Sequence, residues 1–189
     1  LGRLARQKVV EDGLLRPVRD FLMLRGLAED PELAARYHAL ASLPEGTLGR
    51  ELLAYFERNH FAPPGEKGGF PELGIWHDIG HVLTGYGTDA EGELELAAFQ
   101  AGYMKNDPMF MLLFAALTFS AGINVTPIPQ PHVHSLFAKP GLAERVFAAI
   151  ERGANVKVDL SDHWDHWPWF EKPIDEVRRE LGISPPAAA

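Results

Sequence analysis

The stretch ELGIWHDIGHVLTGYGTDAEGELELAAFQAGYM, residues 72–104, reads as two helices joined by a tight turn. Gly85 and Gly87 end the first helix, because glycine accepts the left-handed backbone that closes a helix at no steric cost. Thr88 and Glu91 stand at capping-box spacing and start the second. At about 100° per residue, His77 and His81 lie one turn apart on one face of the first helix. Asp78 is offset by about 100° from His77 and about 60° from His81, so it reaches the flank of an ion or orients a ligand imidazole from behind. Glu93 falls in the first turn of the second helix, and a chain that doubles back brings it opposite the histidines. Two imidazoles at i, i+4 and a carboxylate from a facing helix form a pattern by which helical proteins hold one divalent ion.

Outward from this pair, Pro and Gly clusters cut the rest into helix-length pieces. Asp30-Pro31 is a helix start, with Asp as N-cap and Pro in the first turn, leading into ELAARYHALA. Thr47 stands where it would cap LGRELLAYFERN, whose Leu48, Leu52, Leu53 and Phe56 share a face. The loop HFAPPGEKGGFP excludes regular structure. MFMLLFAALTFSAG is apolar on every side, which is expected of a helix at the centre of a bundle. The alternative use for its Met109–Ile123 run is the wall of a lipid channel beside the ion. TPIPQP breaks it, and LAERVFAAIERG follows as an amphipathic helix with Gly153 as its stop. Only VKVDL looks like a strand. Pro173, Ile174, Val177, Leu181 and Gly182 mark a short last helix from first turn to cap. The expectation is an all-α fold, one helical domain of roughly seven helices over residues 1–189, with SPPAAA (184–189) as a disordered tail.

Composition narrows the function. Eighteen basic against 26 acidic residues give a net charge of −8, which argues against nucleic acid, whose binding is driven by clustered Lys and Arg. The same balance disfavours broad docking on anionic lipid but leaves an apolar patch free to touch a membrane. No cysteine is present, so disulfides, thiolate zinc sites and cysteine nucleophiles are excluded, and any transition metal is held by His, Asp and Glu. The Met109–Ile123 run is interrupted by Thr118, Ser120 and Gly122 and falls short of the roughly 18 apolar residues of a membrane span. LGRLARQKVV has no continuous apolar core of a signal peptide, which leaves the cytoplasm as the expected location.

Other clusters read as weaker candidates. His132 and His134 in QPHVHS sit in a proline-rich loop, where solvation explains them. Asp162, His163, Asp165 and His166 could hold a second ion, but Trp164, Trp167 and Trp169 between them suggest an aromatic surface or a satellite core. Arg50, Arg58, Lys67, Lys105 and Lys139 are candidate anion contacts, and read first as solvated charges.

HDIGHVLTGYGTDAEGEL resembles the signature of the ubiquinone biosynthesis protein 4 family: His-Asp, two residues, His, eleven residues, Glu, without insertion. LPEGTLGRELLAYFERN (residues 43–59) and PIDEVRRELGI (residues 173–183) are similar to the same family, in the same order. The resemblance implies an all-helical protein working on the coenzyme Q head group, with zinc held by His77, Asp78, His81 and Glu93, and with these residues catalytic. The implied activity is removal of the ring carboxylate from a prenylated 4-hydroxybenzoate, alone or coupled to hydroxylation of that carbon. The implied partners are a prenylated aromatic or isoprenoid lipid, other quinone-biosynthesis enzymes, a second copy in a homodimer, and the inner face of the membrane as a peripheral contact. If dioxygen takes part, two histidines and a carboxylate suit iron(II) as well as zinc. The richness of SDHWDHWPWF in His and Trp departs from the family and leaves room for a related secondary-metabolite substrate. A non-catalytic lipid-binding scaffold with a structural metal is the competing reading. A metal phosphohydrolase is the least favoured, since the further His and Asp it needs cannot be placed.

Overall fold

A computed structural model describes residues 29–122, 133–162 and 164–185. Within them are seven α-helices and no strand: α1 Pro31–His38, α2 Leu48–Asn59, α3 Ile75–Thr84, α4 Ala90–Tyr103, α5 Pro108–Ser120, α6 Leu142–Ala154 and α7 Ile174–Leu181. The all-α expectation holds. VKVDL is irregular, so its strand reading is corrected. Its Lys157 N–H pairs with the Leu181 carbonyl, an isolated contact with no neighbouring strand to extend into a ladder.

The core is one contiguous cluster running from Leu33 and Tyr37 on α1 to Leu181 and Ile183 at the end of α7. Its centre is α4, which buries Leu94, Leu96, Ala97, Ala98, Phe99, Gln100 and Tyr103. The expectation that the Met109–Ile123 helix is central is overturned. α5 buries only Ala115, Thr118 and Phe119, and turns Met109 (62% exposed), Leu113 (53%), Phe110 and Leu117 outward. Small side chains decide between these two helices. A Cβ on Gly153 would lie 1.9 Å from the Phe99 carbonyl oxygen, and one on Gly102 would lie 2.4 Å from that of Ile150. Backbone therefore packs on backbone between α4 and α6, which the bulky side chains of α5 forbid. Gly153 is thus a packing residue inside α6, which runs on to Asn155 as C-cap, and not the stop expected of it.

Two caps also differ. Thr47 flanks α2 but donates its hydroxyl to Pro44 O at 2.7 Å. The free N–H groups of α2 find other partners: Leu48 donates to Lys172 O at 2.9 Å and Gly49 to Phe170 O at 3.0 Å. A tertiary contact has taken the cap's role. At α4 the N-cap is Asp89, whose carboxylate accepts from Gly92 N at 2.9 Å; Thr88 instead donates to Asn59 Oδ1 at 3.0 Å. Asp30 caps α1 as read, accepting from Leu33 N.

Candidate metal centre

α3 begins from a single 3₁₀ turn, Glu72–Gly74, and ends at Gly85, whose φ of 78° is the left-handed closure expected of it. The three residues between Gly85 and Asp89 fold the chain back, so the first turn of α4 faces α3. Glu93 then stands between the histidines: His77 Nε2 is 3.3 Å from Glu93 Oε2, and His81 Nε2 is 3.3 Å from Glu93 Oε1. The imidazole centroids are 4.9 Å apart at 73°. Among the described residues, His77, His81 and Glu93 are the one trio whose donor atoms all lie within 4.8 Å of each other. Asp78 stands beside them. Its Oδ1 is 3.8 Å from His77 Nδ1 and accepts from the Tyr55 hydroxyl at 3.4 Å.

The proton arrangement shows what this cluster wants. His81 is 2% exposed, and its Nδ1 is 3.1 Å from the Tyr86 carbonyl, an acceptor, so Nδ1 carries the hydrogen. Its Nε2 is buried, makes no hydrogen bond, and points toward a carboxylate oxygen, another acceptor. Acceptors facing each other in a buried site require a cation or a proton between them. Without metal the proton serves. Burial pulls the His77 imidazole down, but hydrogen bonds to Asp78 and Glu93 and their charges outweigh it and push it up to about 10. Burial likewise raises Glu93, and the hydrogen bond and charge of His77, with the His81 ring facing it from the other side, outweigh that and hold it down to about 2. A divalent ion replacing that proton would meet two imidazole nitrogens and a carboxylate, a donor set shared by catalytic zinc and non-haem iron(II).

Two tyrosines complete the surroundings, and sequence reading passed over both. Tyr55 on α2 stacks on His81 with centroids 5.6 Å apart and an 18° tilt. Burial first, then the carboxylates of Asp78 and Glu93, hold its phenol far above the usual range, so it remains a donor. Tyr86 supplies the carbonyl that orients His81. Its position between Gly85 and Gly87 was the available signal: a turn that tight exposes its backbone carbonyls. His81 also lines an open cleft of about 350 Å³, together with Tyr55, Arg58, Asn59, Tyr86, Thr88 and Arg178 among others. It takes none of its lining from α5, so this cleft is not the channel expected of that helix.

The remaining candidates are placed elsewhere. His134 is exposed and its backbone bridges Ala121; His132 and His163 lie outside the described residues. His166 is buried, with Nε2 3.3 Å from the Tyr37 hydroxyl and 3.6 Å from Glu72 Oε1. Trp167 donates to Glu72 Oε1 at 2.9 Å and lies under the Arg36 guanidinium. Trp164, Trp167 and Trp169 are partly buried and pack against the core, the second of the two arrangements read from the sequence.

Comparison with known proteins agrees with the signature. Rattus norvegicus ubiquinone biosynthesis protein COQ4 homolog, mitochondrial, is 31% identical over 160 residues, covering 78% of this chain and 54% of the relative. Aspergillus flavus ubiquinone biosynthesis protein coq4, mitochondrial, is 28% identical over 163 residues, covering 78% and 50%. The chain is a relative of the Coq4 ubiquinone biosynthesis proteins. It spans about half the length of these curated Coq4 relatives. A crystal structure of a candidate ubiquinone biosynthesis protein from Nostoc punctiforme PCC 73102 shares the fold, with a TM-score of 0.54 and 21% identity over 95% of this chain and 82% of that one. No protein-family model matches. No described helix is long and apolar enough to cross a membrane.

Proposed function

We propose that this chain works in ubiquinone biosynthesis as a metal-dependent decarboxylase of a prenylated 4-hydroxybenzoate. One observation carries the reading: the Nε2 atoms of His77 and His81 each stand 3.3 Å from one carboxylate, Glu93, with a buried nitrogen left unbonded. His77, His81 and Glu93 hold the ion, zinc or iron(II), and Asp78 orients His77 from behind. When bound, the ion draws charge toward the oxygens beside the reacting carbon, where electron density accumulates as carbon dioxide leaves. The protein's own residues do the rest. The Tyr86 carbonyl fixes the His81 ring, Tyr55 covers its face against water, and the Tyr55 hydroxyl donates to Asp78 and holds that carboxylate beside His77. The ring–carboxylate bond breaks, its electron pair stays on the ring carbon, and that carbon takes a proton as carbon dioxide leaves; in the oxidative alternative the carbon gains a hydroxyl instead, and dioxygen takes up the two electrons and leaves as hydrogen peroxide.

The outward stripe of Met109, Phe110, Leu113 and Leu117 favours a second role beside the first. A contiguous apolar surface of this kind marks a lipid, membrane or protein contact. It supports isoprenoid binding, peripheral membrane attachment, a second copy or partner enzymes of the pathway, and the scaffold reading uses that surface alone. Carbon dioxide release from a prenylated hydroxybenzoate, under air and under nitrogen, separates the two. The enzyme reading expects release by metal-loaded wild type and none by Glu93→Ala, with ligand binding kept in both. No release from wild type in either atmosphere, with binding persisting in both proteins, makes the protein a scaffold.

A further inference from the structure

The helix that carries both histidines is short, and its far end is held by residues that no part of the metal signature contains. The last four carbonyls of an α-helix lack the partners that a continuing helix would supply. Those of α3 are accounted for one by one. His81 O accepts from Gly85 N at 2.8 Å. Leu83 O and Val82 O accept from the Arg178 guanidinium at 2.9 and 3.2 Å. Thr84 O accepts from Arg152 Nη1 at 3.0 Å. Two cations from α6 and α7 therefore sit on the negative end of the α3 dipole, where positive charge is stabilising.

Arg152 does more than complete that set. Its other terminal nitrogen donates to Ser184 O, and its guanidinium carbon lies 5.2 Å from the Tyr86 ring centroid and 5.8 Å from that of Phe99. It thus grips the chain on both sides of Gly85: the carbonyl of Thr84 before it and the ring of Tyr86 after it. Tyr86 is the residue whose carbonyl accepts from His81 Nδ1. A carbonyl that fixes a ligand imidazole sets the direction in which the other nitrogen points. α3 itself meets α4 across a narrow contact where Gly80 faces Leu96 and Gln100, whereas α6, which bears Arg152, packs along α4 with close backbone contact at Gly153 and Gly102. A brace from α6 consequently ties the histidine helix to the same frame that carries Glu93.

We propose that Arg152 is a positioning residue for His81: by holding Thr84 O and the face of Tyr86 it aims His81 Nε2 at the ion and so sets metal affinity and coordination geometry. This rests on the metal reading above, and the experiment separates the two. Purified protein is stripped of metal and titrated with zinc against a chromogenic chelator, and with cobalt(II) while the visible d–d spectrum is recorded. The variants are Arg152→Met, which keeps the length and loses the charge and donors, Arg152→Lys, and Arg179→Met as an exposed control. All measurements are made well below each protein's unfolding midpoint. Arg152→Met is expected to bind zinc at least tenfold more weakly, the scale seen when partners behind a metal ligand are lost, and to change the cobalt spectrum. Arg152→Lys recovers part of the affinity, and Arg179→Met matches wild type. If Arg152→Met does not fold, Tyr86→Leu, which removes the ring under the guanidinium and keeps the carbonyl, is expected to show the same weakening and spectral change. Unchanged zinc affinity and cobalt spectrum in the folded variants, with only a lowered unfolding midpoint, reduce Arg152 to a structural brace and overturn the proposal. A wild type that binds neither zinc nor cobalt(II) overturns the metal reading, and the proposal with it.

Discussion

Replacing Glu93 with glutamine keeps the shape of the side chain and removes its charge, and two separate consequences follow. In the metal-free protein Glu93 and His77 stabilise each other as a pair. Glu93 is held down to about 2 from the ordinary 4.5, so its share is present above pH 4.5 and is lost as pH falls through about 2. His77 is pushed up to about 10 from 6.5, so its share is present below pH 6.5 and is lost as pH rises through about 10. The two shifts describe largely one interaction, which is fully expressed between about pH 4.5 and 6.5. At 1.36 kcal/mol per unit, the Glu93 shift corresponds to about 3 kcal/mol at most. That amounts to roughly 6–12 °C in the unfolding midpoint of a chain this size. The second consequence concerns the ion. Losing one of three ligands should exceed the tenfold to hundredfold loss typical of residues behind a ligand, so zinc affinity is expected to fall by more than about a hundredfold. Thermal unfolding of metal-free wild type and Glu93→Gln at pH 5.5, with zinc competition titrations at pH 7, measures both. Equal midpoints at pH 5.5 and zinc affinities within threefold of each other would refute the reasoning.

Because His77 carries a proton at neutral pH in the free protein, zinc binding at pH 7 should release about one proton, and affinity should rise with pH up to about 10; calorimetry in buffers of different ionisation enthalpy reads the release. Gly153→Ala places a Cβ 1.9 Å from the Phe99 carbonyl oxygen, and should lower stability by about 1–3 kcal/mol or more in denaturant titrations. Leu113→Glu, at a 53% exposed position on α5, should leave stability within about 0.5 kcal/mol of wild type while weakening flotation with liposomes, a loss that a purely solvated α5 would not show.

Where local chemistry decided the structure, the sequence could be read. Gly85 after Thr84, the histidines one turn apart and the turn back to Glu93 all depend on neighbours within twenty residues, and each stands as expected. Asp30-Pro31 and the Pro173 to Gly182 helix succeed for the same reason. The misreadings share a different cause: a distant segment took over. The carbonyls of Phe170 and Lys172 serve the free amides of α2, so Thr47 has no cap to make. Hydrophobic periodicity is equally featureless on α4 and α5, and what separates them is the pairing of Gly102 with Gly153 fifty residues away, which no pattern within either helix reveals. At the site, Tyr55 is spaced like any core aromatic of α2, and its stacking on His81 emerges only when α2 and α3 pack.

Everything proposed for this chain depends on one divalent ion between α3 and the first turn of α4. Crystals grown from metal-stripped protein and soaked in zinc, measured on both sides of the zinc absorption edge, test it most directly. One strong anomalous peak is expected about 2.0–2.2 Å from His77 Nε2, His81 Nε2 and a Glu93 oxygen. A peak at His166 or His134 with none at His77, or no peak at saturating zinc, would contradict it.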